Sequence, residues 1–435
     1  MDITIYGPLL GLLLLLFLGS GIWVALSLLG IAAIGMLMFS NAPVEAVMPS
    51  TVWSALSTWT LTALPLFIWM GEILFRTRLA SDLFHGLSPW LGRLPGRLLH
   101  VNVLGCGIFS AVSGSSAATA ATVGQMSIPE LKKRGYDEPI SLGSLAASGT
   151  LGLLIPPSII LIVYGVSVNL SIGKLFLAGV FPGLLIIALF SSYIIVWAML
   201  NANKMPPAEA RLGWGESLKR LRLLLPIVLL IIGVIGSIYA GFATATEAAT
   251  IGVVGSMLIA YFSGGLTWKS FLESVKGAMH TSCMIALIIA GAAFLTVSMG
   301  FSGIPRALAE WIATMELSPY ALLFALTLLY LVLGCFLDGI SLVLLSTAVV
   351  IPMVEAAGID LIWFGIFLVL LVEIAQLTPP VGMNLFVVQG ITGRDIVYLT
   401  KAVAPFFVLL IFAIVLLTIF PEIAIWLPET MKTAR

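Results

Sequence analysis

The sequence predicts an all-α polytopic membrane protein made of two inverted-topology repeats, each with a re-entrant helical hairpin and a proline-broken helix. Three observations predict it. Of 435 residues, 60% are hydrophobic and only 9% charged, against about 25% charged in soluble domains. Apolar runs of roughly twenty residues, the length a helix needs to cross a bilayer, recur along the whole chain. Two proline doublets, Pro156-Pro157 and Pro379-Pro380, sit inside apolar runs 223 residues apart, and a broken membrane helix in each of two copies marks a secondary transporter.

The same offset pairs much of the sequence before the doublets. Sliding 128–157 onto 351–380 without a gap matches Ile128/Ile351, Pro129/Pro352, Gly135/Gly358, Asp137/Asp360, Leu145/Leu368 and Leu154/Leu377 as well as both doublets, eight identities in thirty columns. Several fall on glycine and proline, which determine backbone geometry. The alternating segments of about ten residues that build a membrane β-barrel are absent. Net charge is zero, so nothing points to nucleic acid. Cys106, Cys283 and Cys335 lie in apolar surroundings with no CxxC spacing and read as small packing residues.

From the amino end, Asp2 is the only charge before Glu45, so no basic region announces a cleavable signal peptide. Residues 7–39 are too long for one span: about 33 residues at 1.5 Å reach roughly 50 Å, against a core of about 30 Å. Gly19-Ser20-Gly21 offers the break. Basic residues then cluster at Arg76 to Arg97, Lys132 to Arg134, Lys204 to Arg222, Lys269 to Lys276 and Arg394 to Lys401. Placed together on the cytoplasmic side, they close a topology. Spans 52–75, 140–169, 175–201, 223–241, 242–263, 282–304, 361–390 and 404–427 alternate in direction. The loop 302–319, with Glu310 and Glu316 against Arg306, lies outside. Residues 101–127 and 320–352 each enter and leave on one side, as re-entrant hairpins buried in protein or lining a polar cavity. The halves start on opposite faces and are joined by the polar linker 202–222. Segments 76–100 and 264–281 read as amphipathic helices in the membrane plane.

The first hairpin carries Ser110-Ala-Val-Ser113-Gly114-Ser115-Ser116-Ala-Ala-Thr119. Its alanines suit close helix packing, while Ser-Gly-Ser-Ser unwinds a helix and suggests a ligand-binding tip. The second offers Gly334-Cys-Phe-Leu-Asp338-Gly339-Ile-Ser341. There Asp338 either caps the next helix or meets an ion, and the two roles are compatible. The broken spans, Gly152 to Ser158 and Gln376 to Asn384, contain prolines that strip carbonyls of their helical donors. Such carbonyls plus a hydroxyl suit a small monovalent cation. Glu72, Glu247 and Glu373 are further acids at membrane depth, and no proton relay is evident.

Ser-Gly-Ser-Ser, Leu-Ile-Pro-Pro-Ser at 154–158, Ala-Thr-Glu-Ala-Ala at 245–249 and Leu-Thr-Pro-Pro-Val-Gly-Met-Asn at 377–384 together resemble the large membrane subunit of TRAP (tripartite ATP-independent periplasmic) transporters, over essentially the whole chain. The resemblance implies an elevator-type carrier in the bacterial inner membrane, driven by an inward sodium gradient and needing no cofactor beyond that coupling ion. It implies two partners, a small four-helix membrane subunit and a periplasmic substrate-binding protein that delivers an organic acid such as a dicarboxylate or sialic acid. Matched by motif, one sodium site takes Ser110, Ser113, Gly152, Ile155 and Pro157, largely through carbonyls. A second takes Gly339, Ala375, Thr378 and Val381, with Asp338 and Asn384 close by. Ala375 stands where relatives often have glycine. Gly114, Ser115, Ser116, Asp338, Ser341 and Asn384 are the expected substrate contacts.

The expected division is scaffold helices in 1–51, one half of the moving domain in 52–169, scaffold, linker and amphipathic arm in 170–281, the other half in 282–390, and a last scaffold helix in 391–435. A stand-alone carboxylate carrier of similar fold is the alternative. A channel fits poorly, since inversion rather than rotation about the membrane normal relates the halves. An intramembrane protease lacks a base at membrane depth for Ser113.

Overall fold

A computed structural model of the chain describes residues 3–40, 42–207, 213–303, 307, 318–379 and 382–431. All regular structure among them is helical. Six helices are long and apolar enough to cross a membrane; a bent pair, Val44–Leu56 with Trp59–Phe75, turns by 54° and makes a seventh if it is one span.

The break expected at 19–21 occurs. Helix α1 (Ile3–Gly19) ends there, Gly21 takes φ +80°, and α2 (Val24–Phe39) follows. Next come α3 (Val44–Leu56), α4 (Ala63–Phe75) and α5 (Leu79–Leu91). In α5, Leu79, Leu83, Phe84, Leu87 and Leu91 are buried at helical spacing, as an amphipathic segment requires. Helices α6 (Leu99–Ser113) and α7 (Ser116–Lys133) pack together across the turn Gly114-Ser115. The first broken span follows as α8 (Glu138–Gly149), a 3-10 turn Thr150–Leu153, the prolines, and α9 (Ile159–Ser167). Then come α10 (Ile172–Leu200), α11 (Trp214–Leu221), α12 (Leu225–Tyr239), α13 (Ala245–Phe262) and α14 (Trp268–Ser302). Helices α15 (Pro319–Gly334) and α16 (Gly339–Ala356) flank the turn 335–338. The second broken span is α17 (Leu361–Ala375) and α18 (Met383–Thr392), followed by α19 (Ile396–Ile419) and α20 (Glu422–Glu429).

The residues paired at the 223-residue offset adopt the same local geometry. Pro129 and Pro352 both lie inside helices, α7 and α16. Gly135 and Gly358 both take left-handed φ, +77° and +71°, which glycine adopts without steric cost. Asp137 caps α8 by accepting from Ile140 N–H, and Asp360 caps α17 by accepting from Trp363 N–H. Each half thus runs from a helix with an internal proline, through a glycine turn and an aspartate cap, into a broken span.

Burial separates a centre from a periphery. Every residue of α8 from Ile140 to Gly149, and every residue of α17 from Trp363 to Ala375, is buried. Helix α12 buries only Ile227, Leu230, Val234 and Ile238, a single stripe that leaves the rest of an apolar helix facing outward. The broken spans therefore occupy the middle of the molecule.

One element differs from expectation. Residues 264–281 do not form a separate arm: from Trp268 they are the start of α14, which continues for 35 residues to Ser302. Thr267 and Ser270 form a reciprocal cap at its start, and the helix stops only at Gly303, φ +71°. No proline lies between, so the charged stretch runs unbroken into the apolar one. The expected boundary at 281/282 falls in mid-helix. Pro380, Val381, residues 208–212 of the linker, and Arg306, Glu310 and Glu316 of the 302–319 loop lie outside the described residues.

Candidate functional site

At the first break, Pro156 and Pro157 carry no N–H, so the carbonyls of Gly152 and Leu153 lose the donors four residues on. The Ser158 hydroxyl donates to Leu153 O instead. Gly152 O gains no substitute among the described hydrogen bonds. Gly152 lies against the first turn so closely that a Cβ there would sit 2.6 Å from the carbonyl of Ser115. Gly114, at φ +61°, closes the same gap from the other side: a Cβ would fall 2.9 Å from Pro157 O. Its carbonyl accepts from Ile159 N–H at 3.4 Å. Two glycines thus bring Gly114 and Ser115 into backbone contact with Gly152 and Pro157.

The flanking hydroxyls are partly committed. Ser113 Oγ shares a 2.6 Å hydrogen bond with Thr119 Oγ1. Ser115 Oγ caps α7, accepting from Ala118 N–H at 3.4 Å. Ser110 sits a turn lower, its hydroxyl donating to Cys106 O and its carbonyl accepting from Gly114 N–H at 3.2 Å. The Ile155 side chain packs toward Gly183 on α10.

At the second turn, Asp338 is a helix cap: Oδ2 accepts from Ile340 N–H and Ser341 N–H at 3.1 and 3.2 Å. Gly339 packs against Val372 and Ile160, joining this turn to both broken spans. Gly334, Asp338, Gly339, Val372, Ala375 and Gln376 share the walls of one small cavity. Ser341 is buried and its hydroxyl has no partner among the described residues. The Thr378 hydroxyl donates to Ile374 O at 2.8 Å, and its N–H donates to Ala375 O at 3.1 Å. Asn384, expected close by the second sodium site, donates its side-chain amide to Ala146 O of the first broken span at 3.1 Å.

Gln376 is the residue that the sequence reading missed. Its Oε1 accepts from Ser116 Oγ at 3.1 Å, linking the first turn to the second break across 260 residues. Its carbonyl, which would bond residue 380 in an unbroken helix, accepts from Asn384 N–H at 3.3 Å. The available signal was a long polar side chain inside an apolar span. Where the two motifs meet, α7 presents its N-terminus, whose free N–H groups attract anions, whereas at the start of α16 the Asp338 carboxylate already accepts from Ile340 and Ser341 N–H.

The three other acids divide. Glu247 closes a capping box with Thr244, accepting from its N–H at 2.7 Å and its hydroxyl at 2.8 Å. Glu72 pairs with Arg76 on the same helix. Glu373 is fully buried, with the Thr150 hydroxyl as the polar group beside its carboxyl among the described residues. Thr150, at the equivalent position in the other half, donates its hydroxyl to Ala147 O at 2.8 Å.

A helical membrane protein centred on two interrupted spans, each packed against the turn of a helix pair, is a transport permease and not an enzyme. The chain belongs to the family described as "Tripartite ATP-independent periplasmic transporter, DctM component", whose sequence model matches residues 9–423. It is a multi-pass protein of the bacterial inner membrane and a TRAP large permease subunit. It is similar to the sialic acid TRAP transporter large permease protein SiaM of Vibrio cholerae, 34% identical over 97% of this chain and 98% of that one. It is also similar to the C4-dicarboxylate TRAP transporter large permease protein DctM of Pseudomonas aeruginosa, 34% identical over 85% of this chain and 86% of that one. Among solved structures, the Alcanivorax borkumensis YdaH transporter shares the fold, with TM-score 0.66 and 14% identity over 94% of this chain and 98% of that one.

Proposed function

We propose that this subunit imports a small organic acid, coupled to sodium entry, with a small four-helix membrane subunit and a periplasmic binding protein as partners. The observation that carries the reading is the Gly152–Ser115 approach, where a residue whose carbonyl has lost its helical donor packs against the backbone of a turn. Bare carbonyl and hydroxyl oxygens favour a small hard cation over a soft one. In this reading Ser110, Ser113, Gly152, Ile155 and Pro157 hold one sodium, and Gly339, Ala375, Thr378 and Val381 a second. Sodium holds the turns in place, and the acid's carboxylate meets the N-terminus of α7, with the backbone N–H of Ser116, together with the Ser115 and Ser341 hydroxyls. The names of the two relatives, for sialic acid and for C4-dicarboxylates, support a carboxylate cargo.

Transport follows if 52–169 and 282–390 slide as one body, an elevator, against the remaining spans. The continuity of α14 across 281/282 makes its first half a lever attached to that body. Uptake into proteoliposomes containing the chain, its small subunit and its binding protein tests the reading. Labelled succinate or N-acetylneuraminate accumulates under an inward sodium gradient and not under an equal potassium gradient. Equal uptake under both overturns the sodium coupling.

A further inference from the structure

We infer that Gln376 is the specificity-determining donor of the acid site: its amide is held between the two turns and offers N–H groups to one carboxylate oxygen of the cargo. The assignment deepens the carrier reading and rests on it.

Gln376 follows directly on α17, where the broken span begins, and is 8% exposed. Its Oε1 is committed to Ser116, the first residue of α7. Its Nε2 lies against Gly339, the first residue of α16: a Cβ on that glycine would come within 3.2 Å of it. One amide thus stands between the starts of both helices. Nε2 makes no hydrogen bond among the described residues. The Gln376 amide lines the small cavity beside Asp338 and Gly339, so its –NH2 is open to a ligand. The Ser341 hydroxyl, on the first turn of α16, is buried and has no partner among the described residues.

The repeat shows why this residue discriminates. At the 223-residue offset Gln376 corresponds to Leu153, and Ser116 corresponds to Gly339. The mate of the Ser116–Gln376 contact is therefore a glycine and a leucine, which make no side-chain hydrogen bond. The Ser116–Gln376 contact therefore has no polar counterpart in the other half. The Ser116 contact also fixes the amide's orientation, because an oxygen occupied by a hydroxyl donor leaves the –NH2 facing the cargo. A carboxylate oxygen accepts from that –NH2.

The test uses the proteoliposome assay with both partners and labelled succinate or N-acetylneuraminate, whichever the wild-type protein accumulates. Gln376→Leu raises KM about tenfold or more, as expected for loss of a hydrogen bond to a charged group. The sodium concentration for half-maximal uptake and the thermal midpoint in NaCl stay within twofold and a few degrees, roughly, of wild type. Gln376→Glu raises KM further by repelling the carboxylate, and Gln376→Asn recovers part of the loss. Ser116→Ala, which frees Oε1 with little change in volume, raises KM severalfold and decides the matter if Gln376→Leu does not fold. Unchanged KM in Gln376→Glu and Ser116→Ala, or KM and sodium half-saturation rising together, overturns the assignment while the carrier reading stands. A wild-type protein that accumulates neither acid under a sodium gradient overturns the carrier reading and this assignment with it.

Discussion

Asn384 donates its side-chain amide to Ala146 O at 3.1 Å, joining the two broken spans across 238 residues of sequence. Its neighbour across the contact is Gly149, where a Cβ would lie 3.1 Å from the same amide nitrogen. The two interrupted helices therefore touch each other directly as well as through the turns. Asn384→Ala leaves Ala146 O without this donor in a fully buried setting, and is predicted to cost about 1–3 kcal/mol. A lowered midpoint in thermal unfolding of the purified protein checks this. A midpoint equal to wild type contradicts it.

Gly152→Ala is predicted to separate the first turn from the break. The added methyl meets Ser115 backbone at 2.6 Å, and backbone cannot swing aside as a side chain can. The expected result is at least a tenfold rise in the sodium concentration needed for half-maximal uptake. An unchanged sodium titration would show that Gly152 O and the turn do not share a cation.

Thr378→Ala is predicted to weaken sodium activation more than folding. Among the described residues the Thr378 hydroxyl bonds only Ile374 O, at the end of α17, so its loss removes one local hydrogen bond of about 1 kcal/mol. A severalfold shift in the sodium titration with a thermal midpoint within a few degrees of wild type is the expected pair of readings. The reverse pair, lost stability with intact sodium activation, removes Thr378 from the second site.

Glu373→Gln is predicted to leave stability at or above the wild-type value. The carboxyl group is fully buried with the Thr150 hydroxyl beside it, and an amide of equal size keeps a partner for that hydroxyl while placing no charge in the interior. Thermal unfolding of the variant checks this, and a large loss of stability would reveal a partner that the carboxylate needs.

Much of this architecture was legible because proline, glycine and aspartate constrain backbone directly. The doublet at 156–157 marks its break, Gly135 and Gly358 mark left-handed turns, and Asp137 and Asp360 mark caps. Asp338 caps α16, one of the two compatible roles its position suggests, and Glu247 closes the capping box of α13. Two features were not legible. The continuity of α14 was hidden because a charged stretch and an apolar stretch, read by composition, look like separate elements, while the backbone sees only the absence of a breaker. Gln376 was hidden because its motif was read for what its prolines do to carbonyls, and the reach of a side chain to Ser116 depends on tertiary packing that no local pattern encodes.

The inverted arrangement of the halves is tested most directly by the sidedness of Lys133 and Ala356. These are the exposed last residues of α7 and α16 and correspond at the 223-residue offset. In a background with Cys106, Cys283 and Cys335 replaced, Lys133→Cys and Ala356→Cys are each treated with a membrane-impermeant maleimide in right-side-out vesicles. Labelling of Ala356→Cys alone, with Lys133→Cys reacting only after the vesicles are opened, is the predicted result. Labelling of both from the same side contradicts the account.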